Sequence, residues 1–176
     1  MALYSASVEY GLHCLLYLVG LSKDSKLSSL DLAEFQGISP SYVAKLFTQF
    51  KHAGLVTAIE GAGGGYRLAR GPGDITVLDI VKALEGNKPL FQCKEIRRKC
   101  DLLGVMPPSW STKGICSIHA VMREAEQQML QTLKRYTLAD MAQRVGQQTP
   151  KAFVVQMQRW FEGRQRPNSA ARRRSG

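Results

Sequence analysis

Between Leu27 and Leu68 the chain spells two short helices around a three-residue turn, then two short strands around a run of glycines, and few folds accept that order. Leu27-Ser28-Ser29-Leu30-Asp31-Leu32 is a helix start, with Ser28 at the N-cap, Asp31 at the capping-box position and Leu27 set against Leu32 as a hydrophobic staple. Gly37 ends that helix, since glycine takes a left-handed C-terminal conformation without a Cβ penalty. Ser39 then stands as a new N-cap with Pro40 at the first helical position, and Val43, Leu46, Phe47 and Phe50 follow at i, i+3, i+4 and i+7 until Gly54. Gly37-Ile38-Ser39 therefore joins a helix-turn-helix. Leu55 to Ile59 and Tyr66 to Ala69 read as strands on either side of Glu60 to Gly65, which makes the hairpin a wing. Glycine loops that cradle nucleotides run from strand into helix, and here a second strand follows instead.

The flanking segments extend this plan. From Ser7 to Leu21 a helix carries one apolar face of Val8, Leu12, Leu15, Leu16 and Val19 and a second of Tyr10, Cys14, Tyr17, Leu18 and Leu21. A helix apolar on two sides calls for two partners, its own domain and a sister subunit, and Cys14 reads as a core thiol within that packing. Thr76 and Asp79 cap a further helix that Gly86 closes. No period persists from Asn87 to Ile115, where Pro89, Gly104, Pro107, Pro108 and Gly114 intervene, and a loop of that length is functional or disordered.

Order returns from Ser117 to Tyr136, where Ile118, Met122, Ala125, Met129, Leu133 and Tyr136 form one stripe. Such a helix needs a partner, most simply its symmetry mate, the alternative being its own domain. Thr137 and Asp140 cap a last short helix. Beyond Gly146 the chain is polar and Arg-rich apart from an apolar patch at Phe153 to Phe161, at most a loosely docked helix, and disorder is expected beyond Gly163.

The expected fold is mainly α with a small β-hairpin wing: a winged helix-turn-helix domain at 1–86, a cysteine-containing metal loop at 87–116, a dimerisation helix and short helix at 117–146, and a basic, largely disordered tail at 147–176.

A net charge of +10, from 24 basic against 14 acidic residues, favours a polyanionic partner. Arg164, Arg166, Arg172, Arg173 and Arg174 crowd the last thirteen residues, however, so the folded part is only mildly basic. The run from Leu12 to Leu21 is too short to span a bilayer, no membrane partner is expected, and the location is read as cytoplasmic. Outward residues of the second helix of the pair, Ser41, Tyr42, Ala44, Lys45, Thr48 and Gln49, suit phosphate and base-edge contacts, with Ser39 at a helix terminus that favours phosphate. The fold could also serve protein contacts without DNA.

A second constellation is Cys93-x6-Cys100-x15-Cys116-x2-His119. Cys116 and His119 lie at i and i+3 where the long helix begins, so both lean to one side, with Cys93 and Cys100 delivered by the loop. Three thiolates and an imidazole suit an iron-sulfur cluster or, alternatively, tetrahedral zinc. Lys94, Arg97, Arg98 and Lys99 would lower the thiol pKa values and offset thiolate charge. Unligated reactive thiols or an internal disulfide remain the plainer alternative. No nucleophile, base and orienting group form a set, so neither an enzyme nor a small-molecule substrate is expected.

These residues resemble the Rrf2 family of bacterial winged-helix transcription regulators, with its IscR-like and NsrR-like iron-sulfur branches. The resemblance is carried by Val8-Glu9-Tyr10-Gly11-Leu12, Gly37-Ile38-Ser39-Pro40-Ser41-Tyr42, Gly54-Leu55-Val56, Gly61-Ala62-Gly63-Gly64-Gly65-Tyr66-Arg67-Leu68, Cys116-Ser117-Ile118-His119-Ala120 and Tyr136-Thr137-Leu138-Ala139-Asp140. It implies a homodimer with crossing long helices, a palindromic double-stranded operator, repression, and a cluster that senses redox state, nitric oxide or iron supply. Gly63, Gly64, Tyr66 and Arg67 of the wing join the expected DNA contacts. The implied ligands are Cys93, Cys100, Cys116 and His119, holding a 2Fe-2S cluster in preference to 4Fe-4S. Glu9 stands where some relatives supply an acidic ligand from the partner's first helix and ranks behind these four.

Two departures from the family pattern stand out. Fifteen residues separate Cys100 from Cys116 where the usual spacing is short, and Glu60 occupies a wing position where many relatives carry an arginine that enters the minor groove. A carboxylate there repels phosphate, so the wing docks differently or reads a different sequence.

Overall fold

The structure, a computed structural model, describes residues 3–21, 25–61, 63–104, 106 and 108–165. Ala62, Pro107 and the arginines from Arg166 onward lie outside the described residues. What is described falls into two compact units, one from Met1–Gly86 with Lys134–Gly176 and the other from Asn87–Leu133.

The first unit holds α1 (Ala6–Leu18), α2 (Ser29–Gln36), α3 (Pro40–His52), β1 (Val56–Ile59), β2 (Gly65–Leu68), α4 (Val77–Glu85), α6 (Leu138–Gln148) and α7 (Lys151–Gln165). Its helices start where local chemistry says they should. The Asp31 amide donates to Ser28 Oγ at 3.0 Å, and the Ser28 hydroxyl donates in turn to the Asp31 carboxylate. Thr76 with Asp79 and Thr137 with Asp140 form complete capping boxes. Gly37 adopts the left-handed conformation at φ 66° and ends α2. Ser39 departs from expectation: it occupies the N-cap of α3 without a side-chain cap bond, and its hydroxyl pairs with that of Ser41 at 2.8 Å. Ordering two neighbouring hydroxyls has replaced the usual bond to the first turn.

Val43, Leu46, Phe47 and Phe50 of α3 are all buried, against Cys14 and Leu15 of α1, Leu32 of α2 and Ile80 of α4 in a single core. Gly11 lets α1 approach closely, since a Cβ there would lie 2.7 Å from Leu84 and 2.8 Å from Phe50. The α1 helix stops at Leu18, short of Leu21, as Val19 turns extended and Gly20 takes φ 84°. The wing pairs Val56 with Leu68 and Ile59 with Gly65 in antiparallel register. Leu27 adds a bridge to Tyr66, with bonds of 3.1 and 2.8 Å, so the residue before the α2 N-cap is stitched to the wing.

The tail expected to be largely disordered from 147 is helical as far as Gln165. Trp160 and Phe161 of α7 meet Phe35 at ring distances of 5.0 and 4.9 Å, and Phe161 also meets Tyr17 at 5.8 Å. Phe161 is buried in the main core, and burial of large aromatic rings supplies the ordering free energy that the polar composition concealed.

The second unit is the cysteine loop, with single 3-10 turns at Ile96–Lys99, Asp101–Leu103 and Ser109–Ser111, followed by α5 (Ser117–Arg135). No residue of α5 is buried, and Ile118 and Val121 are exposed. No described helix is long and apolar enough to cross a membrane.

Candidate functional site

Two candidate sites emerge, one in each unit. In the first, packing of one face of α3 turns Ser41, Lys45 and Thr48 outward, with Ala44 and Gln49 half-buried beside them. Ser39, Ser41, Tyr42 and Lys45 join Tyr10 and Ile38 around an open recess at the start of α3. The Thr48 hydroxyl donates to the Ala44 carbonyl at 3.0 Å, which leaves its lone pairs facing out. Tyr42 sets its ring edge-on to Tyr10 at 5.8 Å and divides its role between surface and packing. Lys51 and His52 are exposed in the last turn of α3 and extend the basic side of the helix beyond the expected set.

The wing depends on its glycines. Gly63 takes φ 75° at the tip, and a Cβ on Gly64 would lie 2.6 Å from the Ile59 carbonyl oxygen. Arg67 is exposed on β2. Tyr66 turns its ring onto Phe47 at 4.6 Å, so its side chain fastens the wing to α3. Glu60 is exposed at the end of β1.

The second candidate site is built at the start of α5. Cys116 immediately precedes the helix, and the amides of His119 and Ile118 point at its sulfur; with the Arg97 guanidinium and a bond from Cys93, they hold the thiol pKa below its usual value despite some opposing desolvation. Arg97 is clasped by Glu95 at 2.5 and 2.9 Å and donates to the Gly114 carbonyl at 3.2 Å, which ties the first 3-10 turn to the last part of the loop. Glu95 adopts φ 48°, and its amide donates to Cys93 Sγ at 3.4 Å. The Leu90 amide donates to Glu126 at 2.9 Å and fixes the start of the loop to α5. Phe91 lies 6.2 Å from the His119 ring.

Cys93 is thus beside Cys116, with His119 one turn into the helix, whereas Cys100 is exposed between two 3-10 turns. Among the described residues no three His, Cys, Asp or Glu side chains lie close enough to hold one ion. The donor chemistry fits a thiolate-ligated centre at Cys93 and Cys116, and Cys100 would have to move to join it. Glu9 is exposed in the first turn of α1.

Sequence spacing did not disclose the Glu95–Arg97 clasp, in which Arg97 acts as a structural tie as well as a charge. Nor did it disclose the Leu27–Tyr66 bridge or the pairing of Arg164 with Glu34, at 2.5 and 2.6 Å.

Comparison with known proteins agrees with this architecture. A sequence profile of the Rrf2 family, described as Iron-dependent Transcriptional regulator, matches residues 4–144. The "Protein rrf2" of Nitratidesulfovibrio vulgaris is 34% identical over 133 residues, covering 76% of this chain and 82% of that protein. T. potens IscR superposes with a TM-score of 0.62 at 26% identity, over 88% of this chain and 96% of its own. CymR of B. subtilis, described as the Global Cysteine Regulator, gives 0.59 at 26% identity over 82% and 98%. With a winged helix-turn-helix, a profile match over most of its length and relatives of this kind, the chain belongs to the Rrf2 family of transcription regulators.

Proposed function

We propose that this protein binds a palindromic DNA operator as a homodimer and represses transcription, with its affinity set by the thiol centre of the 87–119 loop. The reading of DNA is assigned to Ser39, Ser41, Tyr42, Lys45, Thr48 and Gln49 in the major groove, with Gly63, Gly64 and Arg67 of the wing against the backbone and Tyr66 holding the wing in place. Dimerisation is assigned to α5, whose apolar stripe has no buried residue in the single chain.

The observation that carries the regulatory part is Cys116 at a helix start, with amides and Arg97 stabilising its thiolate and Cys93 alongside. A 2Fe-2S cluster held by Cys93, Cys100, Cys116 and His119 would supply one-electron redox chemistry and reactivity toward nitric oxide. The chain's own part is to stabilise thiolates, to offset their charge with Arg97, and to bring in Cys100 by rearranging the 3-10 turns on either side of it. That rearrangement is the proposed signal, since it alters a loop between the winged domain and the dimer helix in sequence. Glu9 is a secondary ligand candidate, and a 4Fe-4S cluster or zinc are the alternative occupants.

The contact between Cys93 and Cys116 favours one further reading. A peroxide could accept two electrons and two protons from this pair, leaving a disulfide and releasing water, so that the regulator would answer to thiol oxidation without a metal. Anaerobic purification with iron, zinc and sulfide analysis and a visible spectrum separates the readings. Coloured protein whose iron and sulfide are lost on Cys93→Ser, Cys100→Ser or Cys116→Ser supports the cluster. Colourless protein after reconstitution refutes it and leaves zinc content and disulfide mapping to decide between the others.

A further inference from the structure

Three helices of the first unit, α1, α6 and α7, frame a cleft of about 270 Å³. Its α7 wall and the last turn of its α6 wall lie beyond residues 4–144, the part of the chain that matches the family profile. The cleft is therefore built largely by a segment particular to this chain.

Its walls specify what can enter. Leu16, Val19, Val145, Phe153 and Met157 present apolar surface, and no Lys, Arg, Asp or Glu lines the cleft. An ion there would lose water without gaining a counter-charge, so the occupant is uncharged. Phe153 and Val145 are 49% and 42% exposed, apolar surface that a ligand would remove from water. Polar groups are few. The Thr149 hydroxyl donates to the Val145 carbonyl at 2.7 Å and keeps its lone pairs to accept, and the His13 ring makes no hydrogen bond among the described residues. Both suit a ligand with a single N–H or O–H donor. The sequence after Gln165 has no large apolar side chain to fill the cleft instead.

Gly146 keeps the space open. A glycine inside a helix is less favourable than alanine, and at Gly11 the reason for one is close packing, since a Cβ there would strike Leu84 and Phe50. At Gly146, within α6, a Cβ would meet nothing within 4 Å, so no neighbour requires the glycine. What it leaves is room at the wall of the cleft.

Tyr17 connects this space to the helix-turn-helix. It lines the cleft, and its ring packs edge-on against Phe35 of α2 at 5.1 Å and lies 5.8 Å from Phe161 of α7. Phe35 is held in turn by Trp160 and Phe161. A ligand touching Tyr17 and α7 therefore bears on both sides of the aromatic cluster that supports α2.

We propose that the cleft between α1, α6 and α7 is an effector site for a small uncharged aromatic molecule with one hydrogen-bond donor, of about two fused rings by volume, whose binding alters DNA affinity through Tyr17 and Phe35. The effector role rests on the DNA-binding reading above, whereas the binding site does not.

The test uses indole as the probe, an uncharged bicycle with one N–H, and indole-3-acetate as its ionised counterpart. Equilibrium dialysis against the full chain should give a submillimolar dissociation constant for indole and binding weaker by roughly tenfold or more for indole-3-acetate. Amide shifts of the isotope-labelled parent should concentrate on residues 13–19 and 142–157. Gly146→Leu should lose indole binding without a fall in melting temperature, and Gly163→Leu, at a helical glycine equally free of neighbours and outside the cleft, should keep it. Saturating indole should change the affinity of the parent for its selected operator duplex about fivefold, and leave Gly146→Leu unchanged. Absence of indole binding, or shifts lying elsewhere, overturns the site. A parent that binds no indole while Gly146→Leu turns from dimer to monomer overturns it too and gives the cleft to a second copy of the chain. Indole bound in the cleft with duplex affinity unchanged overturns the effector role. A chain that binds indole there but no duplex overturns the DNA-binding reading and the effector role with it, and upholds the site.

Discussion

Replacing Gly65 by alanine tests how the wing is fastened to the rest of the DNA-binding unit. A Cβ at this position would lie 2.8 Å from the Leu27 carbonyl oxygen, 2.9 Å from its carbon and 3.2 Å from the Ser28 nitrogen. These are backbone atoms, so no side chain can swing aside. An ordinary contact of about 3.3 Å requires the two segments to separate by roughly 0.5 Å. That movement pulls on the two bonds between Leu27 and Tyr66, at 3.1 and 2.8 Å, each of which contributes about 1 kcal/mol. Together with overpacking, the expected loss is about 2 kcal/mol, or roughly 4–8 °C in Tm for a chain of this size. Because Ser28 caps α2, the same displacement should also weaken DNA binding.

The matched control is Gly73→Ala, where a Cβ meets nothing within 4 Å, and whose effect should stay within about 0.5 kcal/mol. Thermal melts by circular dichroism, read alongside duplex binding, make the comparison. Equal melting temperatures for the two variants would falsify the claim that the Leu27–Tyr66 bridge holds the wing.

Phe161→Ala should cost about 3 kcal/mol in a denaturant titration, since the ring is buried among Tyr17, Phe35 and Trp160, and a loss under 1 kcal/mol would mean that α7 is not part of the core. Burial pushes the Cys14 thiol up to about 11 against a weaker opposing bond from Gln36, so Cys14 should resist alkylation in the native protein at pH 8 while Cys116 reacts. The pH midpoint for Cys116 alkylation should lie below that of a free thiol and rise in Arg97→Ala; an unchanged midpoint would remove Arg97 from the account.

Burial pushes the Asp79 carboxyl up, but bonds from the Thr76 amide and hydroxyl, with Arg70, outweigh it and hold its pKa below the usual carboxylate range. A depressed native value stabilises the fold above the unfolded pKa, and that stability is lost as pH falls through the lowered value. Acid unfolding followed by fluorescence should therefore flatten at its low-pH end in Asp79→Asn, and an identical acid limb in both proteins would refute this assignment.

The helix-turn-helix was legible because its signals are local. Ser28, Asp31, Gly37 and Pro40 act within a few residues of themselves, and the buried set of α3 follows from a 3.6-residue period. The wing was legible as a hairpin, but the role of Gly65 was not, since it depends on Leu27, far upstream in the chain. For α7 the difficulty was the same at longer range: Trp160 and Phe161 find Phe35 and Tyr17, and no local pattern announces such partners. In the cysteine loop the spacing nominated four ligands and marked the long Cys100–Cys116 interval as a departure, without showing where Cys100 would lie. The Arg97–Gly114 and Leu90–Glu126 bonds instead set Cys93 beside Cys116 and leave Cys100 exposed, an asymmetry that depends on loop geometry.

The central claim is that the thiol centre controls DNA affinity, and it is tested most directly by measuring operator binding of anaerobically purified parent and Cys116→Ser protein, each before and after exposure to peroxide or nitric oxide. The operator is first recovered by selection from a random duplex library. The account predicts that the parent changes affinity at least tenfold on exposure, about 1.4 kcal/mol, whereas Cys116→Ser stays at a single affinity in both states. A Cys116→Ser protein that binds and responds like the parent would contradict it.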